Sequence, residues 1–374
     1  MKYYIIAGEA SGDLHGSNLI IELQALDPEA DIRCWGGDKM AATGAKLVKH
    51  YRELAFMGFI EVVANLRTIW KNLAFCKKDM EAFQPDVLIL IDYPGFNLRI
   101  ANWAHEKNLK VVYYISPQVW AWKESRVPQM KKTIDKMLVI LPFEKAYFKD
   151  KFNWDTTYVG HPLVGAIESF KAGNHASLQN LKGKKIIAVL PGSRKQEVRI
   201  KLPIMLAVAP FFPDYQFVIA QAPSLGEDFY APFIGKHPNV SSIQNQTYAL
   251  LLQAEAAMVT SGTATLETAL FGVPEVVCYK GSAVSYQIAK RLIKVKYISL
   301  VNLIMDRLVV QELIQNDLNV PRLAQGLRVL LKDPNKKLQL DRDYAELKQL
   351  LSAGGNASRN AAQEILHFLE AAKS

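Results

Sequence analysis

Cysteine is scarce in this chain of 374 residues, with only Cys34, Cys76 and Cys278. They are far apart, odd in number and never in a CxxC pair. That excludes a disulfide framework and a thiolate zinc site, and it fits a reducing compartment. Long apolar runs are also missing. No stretch approaches the roughly 18 residues that span a bilayer, which excludes a membrane-crossing helix. Met1-Lys2 leads into a strand-length run interrupted by Glu9 and Asp13, so no signal peptide is expected. No segment is low-complexity. An acidic excess is absent too: 45 Lys and Arg against 36 Asp and Glu give a formal charge of +9. The basic balance points to an anionic partner, whether nucleic acid, a membrane face or a phosphorylated substrate.

What is present is ordinary globular material. Half the residues are hydrophobic and 22% are charged, and the length exceeds what one core usually holds, so two domains are expected. Apolar runs alternate with helical segments almost throughout. Strands are predicted at Tyr3–Ala7, Ile32–Trp35, Val87–Ile91, Val111–Ile115 and Met137–Leu141. Further strands are predicted at Ile186–Leu190, Phe217–Ala220, Ala257–Thr260 and Val276–Tyr279. Runs such as VLILI and IIAVL lack polar alternation, as strands buried on both faces do. The expected class is therefore α/β, built on doubly wound parallel sheets. A polar break at Glu168–Lys185 separates two openings of one design, KYYIIAGEASGD and KKIIAVLPGSRKQE. The expected organisation is a first domain over 1–167, a second over 168–341 and C-terminal helices over 342–374. Those helices pack back on the first domain or on a partner subunit.

Ligands of open α/β sheets bind where strands end, so those loops carry the functional reading. GEASGDLHG, Gly8–Gly16, is neither GxGxxG nor GxxxxGK[ST]. Gly for a tight turn and Ser11 or Asp13 as a helix cap explain it structurally; Ser11, Asp13 and His15 together suggest a lip that meets substrate. In LPGSRKQEV, Gly192 and Ser193 place amides at a helix N-terminus beside Arg194, a ready phosphate site. In MVTSGTATLETAL, Ser261, Gly262 and Thr263 offer the same chemistry at a second helix, and Glu267 can accept from ribose hydroxyls. Two such loops point to a nucleoside diphosphate. Asp92, in VLILIDYPGFN, ends a buried strand, where partial desolvation suits a general base and where Asp before Pro94-Gly95 equally suits a plain turn. His161 stands near the domain boundary. An aromatic, basic population (Met57, Phe59, Ile60, Leu66, Ile69, Trp70, Leu73, Phe75, Trp120 and Trp122, edged by Arg67, Lys71, Lys77, Lys78, Lys123 and Arg126) suits a core, an interfacial membrane helix or nucleic acid.

Taken together, GEASGD, MGFIEVV, IDYPGFN, SPQVWAW, LPFEKAYF, GHPLV, LPGSR and SGTATLE, in that order along nearly the whole chain, resemble the lipid-A-disaccharide synthase family. The resemblance implies a GT-B glycosyltransferase, two Rossmann-like domains facing a central cleft. It implies inverting transfer of 2,3-diacylglucosamine from UDP-2,3-diacylglucosamine to 2,3-diacylglucosamine 1-phosphate. The products are a β-1,6 disaccharide 1-phosphate and UDP. No cofactor or metal is expected, and nucleic acid is not. The expected location is the cytoplasmic face of the inner membrane of a Gram-negative bacterium, peripherally bound, with a homodimer open. Carried over, the essential acid falls on Asp92, the proposed base, and the essential arginine on Arg194, which steadies leaving UDP. Gly192, Ser193, Ser261, Gly262, Thr263, Glu267 and Asn302 would hold UDP; Ser11, Asp13 and His15 would face a sugar. Gly95 stands where the family commonly has a second acid, and SLVN replaces SLPN. Competing readings are a UDP-sugar epimerase of GT-B shape and a nucleic-acid-binding module.

Overall fold

The computed structural model describes residues 1–53, 66–173, 178, 181, 183–223, 225–235, 237–281 and 295–371. The Met57–Val63 motif and its Met57, Phe59 and Ile60 lie outside them. A first sheet is formed by β1 (Lys2–Ala7), β2 (Asp31–Gly36), β3 (Lys46–His50), β4 (Val87–Ile91), β5 (Lys110–Tyr114), β6 (Lys136–Val139) and β7 (Thr157–Tyr158). A second is formed by β8 (Lys185–Leu190), β9 (Tyr215–Gln221), β10 (Val240–Gln244), β11 (Ala254–Thr260), β12 (Glu275–Tyr279) and β13 (Gln311–Ile314). Between and after them come α1 (Ala10–Leu26), α2 (Asp38–Ala41), α3 (Leu66–Phe83), α4 (Pro94–Glu106), α5 (Val119–Trp122), α6 (Val127–Thr133), α7 (Pro142–Phe152) and α8 (Pro162–Ala172). The second half adds α9 (Lys195–Leu206), α10 (Glu227–Ile234), α11 (Thr247–Leu251), α12 (Thr263–Phe271), α13 (Leu300–Met305), α14 (Val320–Lys332), α15 (Pro334–Ser352) and α16 (Ala357–Ala371).

The strand orders are β3-β2-β1-β4-β5-β6-β7 and β10-β9-β8-β11-β12-β13, and every pairing is parallel. Counted from β1 and from β8, both read 3-2-1-4-5-6, the dinucleotide-fold order, with one extra edge strand in the first. The similar openings KYYIIAG and KKIIAVLPG are thus the two central strands, β1 and β8. Central strands are covered on both faces. Tyr3 to Ala7 and Val87 to Ile91 are fully buried, each large side chain contributing about 1.5–3 kcal/mol of burial. Trp35 anchors the first core, its indole donating to the Tyr4 hydroxyl at 2.8 Å and its ring 5.5 Å from Phe96.

The nine predicted strands are present. The structure adds β3 (KLVKH), β7 (TY), β10 (VSSIQ) and β13 (QELI), which are the outer strands of the two sheets. They carry polar residues because only part of each is covered, and so they lack the continuous apolar signal.

The chain forms two compact units, 1–162 with 351–374, and 163–350. The first takes back the end of the chain: α16 packs on α1, and Lys136 pairs with Glu364 at 2.7 Å. Glycines make the return tight. A Cβ on Gly354 would stand 2.6 Å from the Gly160 nitrogen, while Gly160 and Gly355 have φ of +90° and +74°, which other residues rarely adopt.

Candidate active site

In each sheet the strand order reverses at one place, between β1 and β4 and between β8 and β11. Loops leaving neighbouring strands there diverge and open a crevice at the carboxyl ends. Gly8–Glu9 and Asp92–Tyr93 meet at the first reversal. Pro191–Arg194 and Ser261–Gly262 meet at the second. Parallel register, not sequence proximity, brings each pair together.

The first pair is in close contact. A Cβ on Gly8 would lie 2.2 Å from the Tyr93 ring, so glycine is required there. Asp92 and Tyr93 both take left-handed φ, +43° and +49°, a costly conformation outside glycine. Two side chains hold it. The Asp92 carbonyl accepts from the Tyr113 hydroxyl at 2.5 Å and from Asn97 Nδ2 at 2.8 Å. Asn97, wholly buried, also reaches the Ile91 carbonyl at 3.2 Å. The Asp92 carboxyl is half-buried. Burial, and secondly the charge of Glu9, push it up from 3.8 to about 7. The Glu144 carboxyl is pushed up to about 7 as well, chiefly by burial, with Asp92 adding to it. Glu144 accepts from Trp120 Nε1 at 3.1 Å and from the Leu141 amide at 3.0 Å. It therefore joins the SPQVWAW and LPFEK segments behind Asp92.

His15 and His161 are buried and lie within electrostatic reach of each other. Burial lowers His15 to about 4, and burial with its neighbour lowers His161 to about 3, so both are neutral near pH 7. Ser11 is exposed near the start of α1. Asp13 is not available to a sugar. Its carboxylate is buried and accepts from the amides of Gly37 at 2.7 Å, Met40 at 3.0 Å and Lys39 at 3.1 Å. It caps α2, a role that backbone amides some 25 positions away assign to it.

In the second unit Gly192 has φ +110°, and a Cβ there would stand 2.9 Å from Glu197 Oε2. Glu197 is shared by Arg194 at 3.6 Å and Lys201 at 3.5 Å. Arg194 is exposed, while Lys201 is buried and its pKa is lowered by that burial. Two cations and the first amides of α9 around one glycine turn suit a phosphate. Gly262, φ +147°, opens α12, with Thr263 exposed at its start. Ser261 donates to the Ile298 carbonyl at 2.7 Å, which leaves its lone pairs for a donor. Glu267 accepts from the Tyr248 hydroxyl at 2.9 Å, and burial raises its pKa. Asn302 corrects the expectation that it lines this site. It is wholly buried: Nδ2 donates to Val310 O at 2.9 Å and to Glu312 at 2.8 Å, while Oδ1 accepts from the amides of Val309 and Val310. Every hydrogen-bonding position of that amide is taken. Among the described residues no cluster of three or more His, Cys, Asp or Glu could hold a metal ion.

The family model for lipid-A-disaccharide synthetase matches residues 3–366. The chain belongs to this family. A lipid-A-disaccharide synthase of Syntrophus aciditrophicus is 38% identical over 369 residues, 96% of each chain. One from Geobacter sulfurreducens is 36% identical, covering 96% of this chain and 95% of its own. Lipid-A-disaccharide synthase 1 of Legionella pneumophila is 37% identical over 94% of each. Membership makes this chain a glycosyltransferase, a hexosyltransferase of lipid A biosynthesis that forms the lipid A disaccharide. Solved structures share the fold at low identity. UDP-GlcNAc 2-epimerase from Neisseria meningitidis, bound to UDP-GlcNAc, aligns with TM-score 0.67 at 14% identity, over 98% of this chain and all of that one. The calicheamicin glycosyltransferase CalG4 aligns with TM-score 0.61 at 15%, over 100% of this chain and 99% of that one. The architecture is therefore GT-B.

Several residues of this synthase-family site escaped the sequence reading. Glu9 and Glu144 surround Asp92, and Lys201 lies under the glycine turn. Glu312 fixes the segment before Asn302 by accepting from the amides of Ile298 and Ser299, at 3.0 and 2.9 Å. Only Glu144 left a trace, as the glutamate three places into a proline-initiated helix.

Proposed function

We propose that this enzyme transfers 2,3-diacylglucosamine from UDP-2,3-diacylglucosamine to the 6-hydroxyl of 2,3-diacylglucosamine 1-phosphate with inversion. The observation that supports this most is the state of Asp92. A carboxyl that titrates at about 7, at the carboxyl end of a central strand, is matched to taking a proton from a hydroxyl near neutral pH. In this reading Asp92 removes the acceptor's proton as the oxygen attacks the anomeric carbon, and the bond to UDP breaks. Arg194 and the α9 amides steady the charge growing on the β-phosphate. Ser261, Gly262 and Thr263 bind the diphosphate, and Glu267 the ribose. Ser11 and neutral His15 face a sugar. Asp13 and Asn302 shape these loops without touching substrate.

The chain would act as a peripheral protein on the cytoplasmic face of the inner membrane. Exposed Trp70, Phe75 and Trp122 support this, as do Lys123 and Arg126, 4.4 and 5.9 Å from the Trp122 ring; aromatic and basic side chains favour a headgroup boundary. Leu73, by contrast, packs in the core. No described helix is long and apolar enough to cross a membrane. The test is incubation of purified enzyme in detergent with both substrates, with UDP and disaccharide followed by mass spectrometry. Disaccharide from wild type, unaffected by EDTA and lost in Asp92→Ala and Arg194→Ala, supports the reading. UDP binding without disaccharide sends it to an epimerase or another acceptor.

A further inference from the structure

The second unit has a cavity unconnected with the nucleotide loops. Its volume is about 180 Å³, and its walls include Val310, Val329, Leu330 and Leu340, with Glu275 and Lys336. Glu275 is the first residue of β12. Its wall is therefore at the amino-terminal end of the parallel sheet, opposite the end where Ser261 and Gly262 leave β11.

Glu275 is wholly buried, and no donor among the described residues reaches either carboxylate oxygen. Buried carboxylates are otherwise bonded or paired, because leaving one unsatisfied costs a few kcal/mol. Glu144 and Asp13 in this same chain obey that rule. Glu275 has no such partner among the described residues, and it lines a cavity. Its surroundings are those of a small ligand site: aliphatic walls and a few convergent polar groups. Lys336 is already engaged, donating to the Val309 carbonyl at 3.1 Å.

We infer that this cavity binds a small aliphatic amine, with its ammonium on Glu275 and its chain against Val310, Val329, Leu330 and Leu340. The volume admits a body of a few carbons. An alcohol of the same length fills the walls equally but offers no charge. Burial holds the free Glu275 carboxyl well above the usual carboxylate range, so amine binding near pH 7 expels its proton. The other titratable groups that face it are Lys336 on the cavity wall, Tyr344 on α15, itself within reach of Asp341 and Asp343, and Cys278 on β12.

The experiment titrates the full-length enzyme with n-pentylamine and, separately, n-pentanol, by calorimetry at pH 7 in two buffers of different ionisation enthalpy. The amine should bind at least about tenfold more tightly than the alcohol, a difference of about 1.4 kcal/mol, and its heat should differ between buffers by close to one proton released. Glu275→Gln should erase both effects while disaccharide synthesis stays unchanged. Val329→Phe, which fills the cavity from a half-buried wall position, should abolish binding of both compounds. Equal affinity for amine and alcohol would overturn the inference. So would amine binding that survives both substitutions, or no binding at millimolar amine, which leaves a solvent-filled cavity only.

Discussion

Asp92→Asn tests the proposed base and its surroundings together. At φ +43° asparagine is among the few residues that fit, so the backbone is kept and only the charge is lost. Removing a general base slows a reaction about 10²–10⁴-fold, and kcat/KM should fall within that range. Stability should move the opposite way. The folded pKa of about 7 stands above the ordinary 3.8. The ionised form is therefore disfavoured in the fold; the associated stability is complete below pH 3.8 and is lost as pH rises through about 7. Roughly three units at 1.36 kcal/mol each bound that loss near 4 kcal/mol. The side chain is only partly shielded from water, so about 1–2 kcal/mol is expected. Asparagine escapes it. In a domain of this size Tm should rise by about 2–8 °C at pH 8, and not at pH 4. The assays are calorimetry at both pH values and disaccharide formation from pH 5 to 8.5, where wild-type kcat/KM should fall tenfold per unit below about 7. A variant within threefold of wild-type activity, or one with no pH-dependent gain in Tm, would refute the reasoning.

Arg194→Ala should cut kcat about 10²–10³-fold with an unchanged circular dichroism spectrum, because its guanidinium is exposed and meets Glu197 only at 3.6 Å. Asn302→Ala should instead destabilise the second unit by about 2–4 kcal/mol, read as a lower urea midpoint, since it strands buried amides and a carbonyl that Asn302 now satisfies. If Asn302→Ala raised the KM for the UDP-sugar without lowering that midpoint, a direct contact with UDP would be restored. Gly8→Ala should depress both stability and kcat/KM, because its methyl would collide with the Tyr93 ring at 2.2 Å and displace the turn carrying Asp92; a second substitution, Tyr93→Ala, should recover the lost stability.

The sequence by itself determined the central architecture. Strands such as VLILI and IIAVL are buried on both faces, so they leave an uninterrupted apolar signature that no other element of this length shares. It also determined that Asp92, Gly192 and Ser261–Thr263 stand where strands end, because turn residues follow apolar runs directly. It could not show the outer strands β3, β7, β10 and β13, whose partial exposure permits polar residues and breaks the pattern. Nor could it sort the polar side chains. Ser11, Asp13, His15 and Asn302 look alike in sequence as candidates. Only the tertiary structure turns Asp13 toward the amides of Gly37, Lys39 and Met40, and Asn302 toward Val309, Val310 and Glu312. The same holds for Glu144 and Glu275, both buried carboxyls, one satisfied by Trp120 and backbone amides, the other by no described donor. Periodicity is local and survives in the sequence. Whether a carboxylate is spent on the fold or left for a ligand depends on donors tens of residues away, and only packing decides which of them arrive.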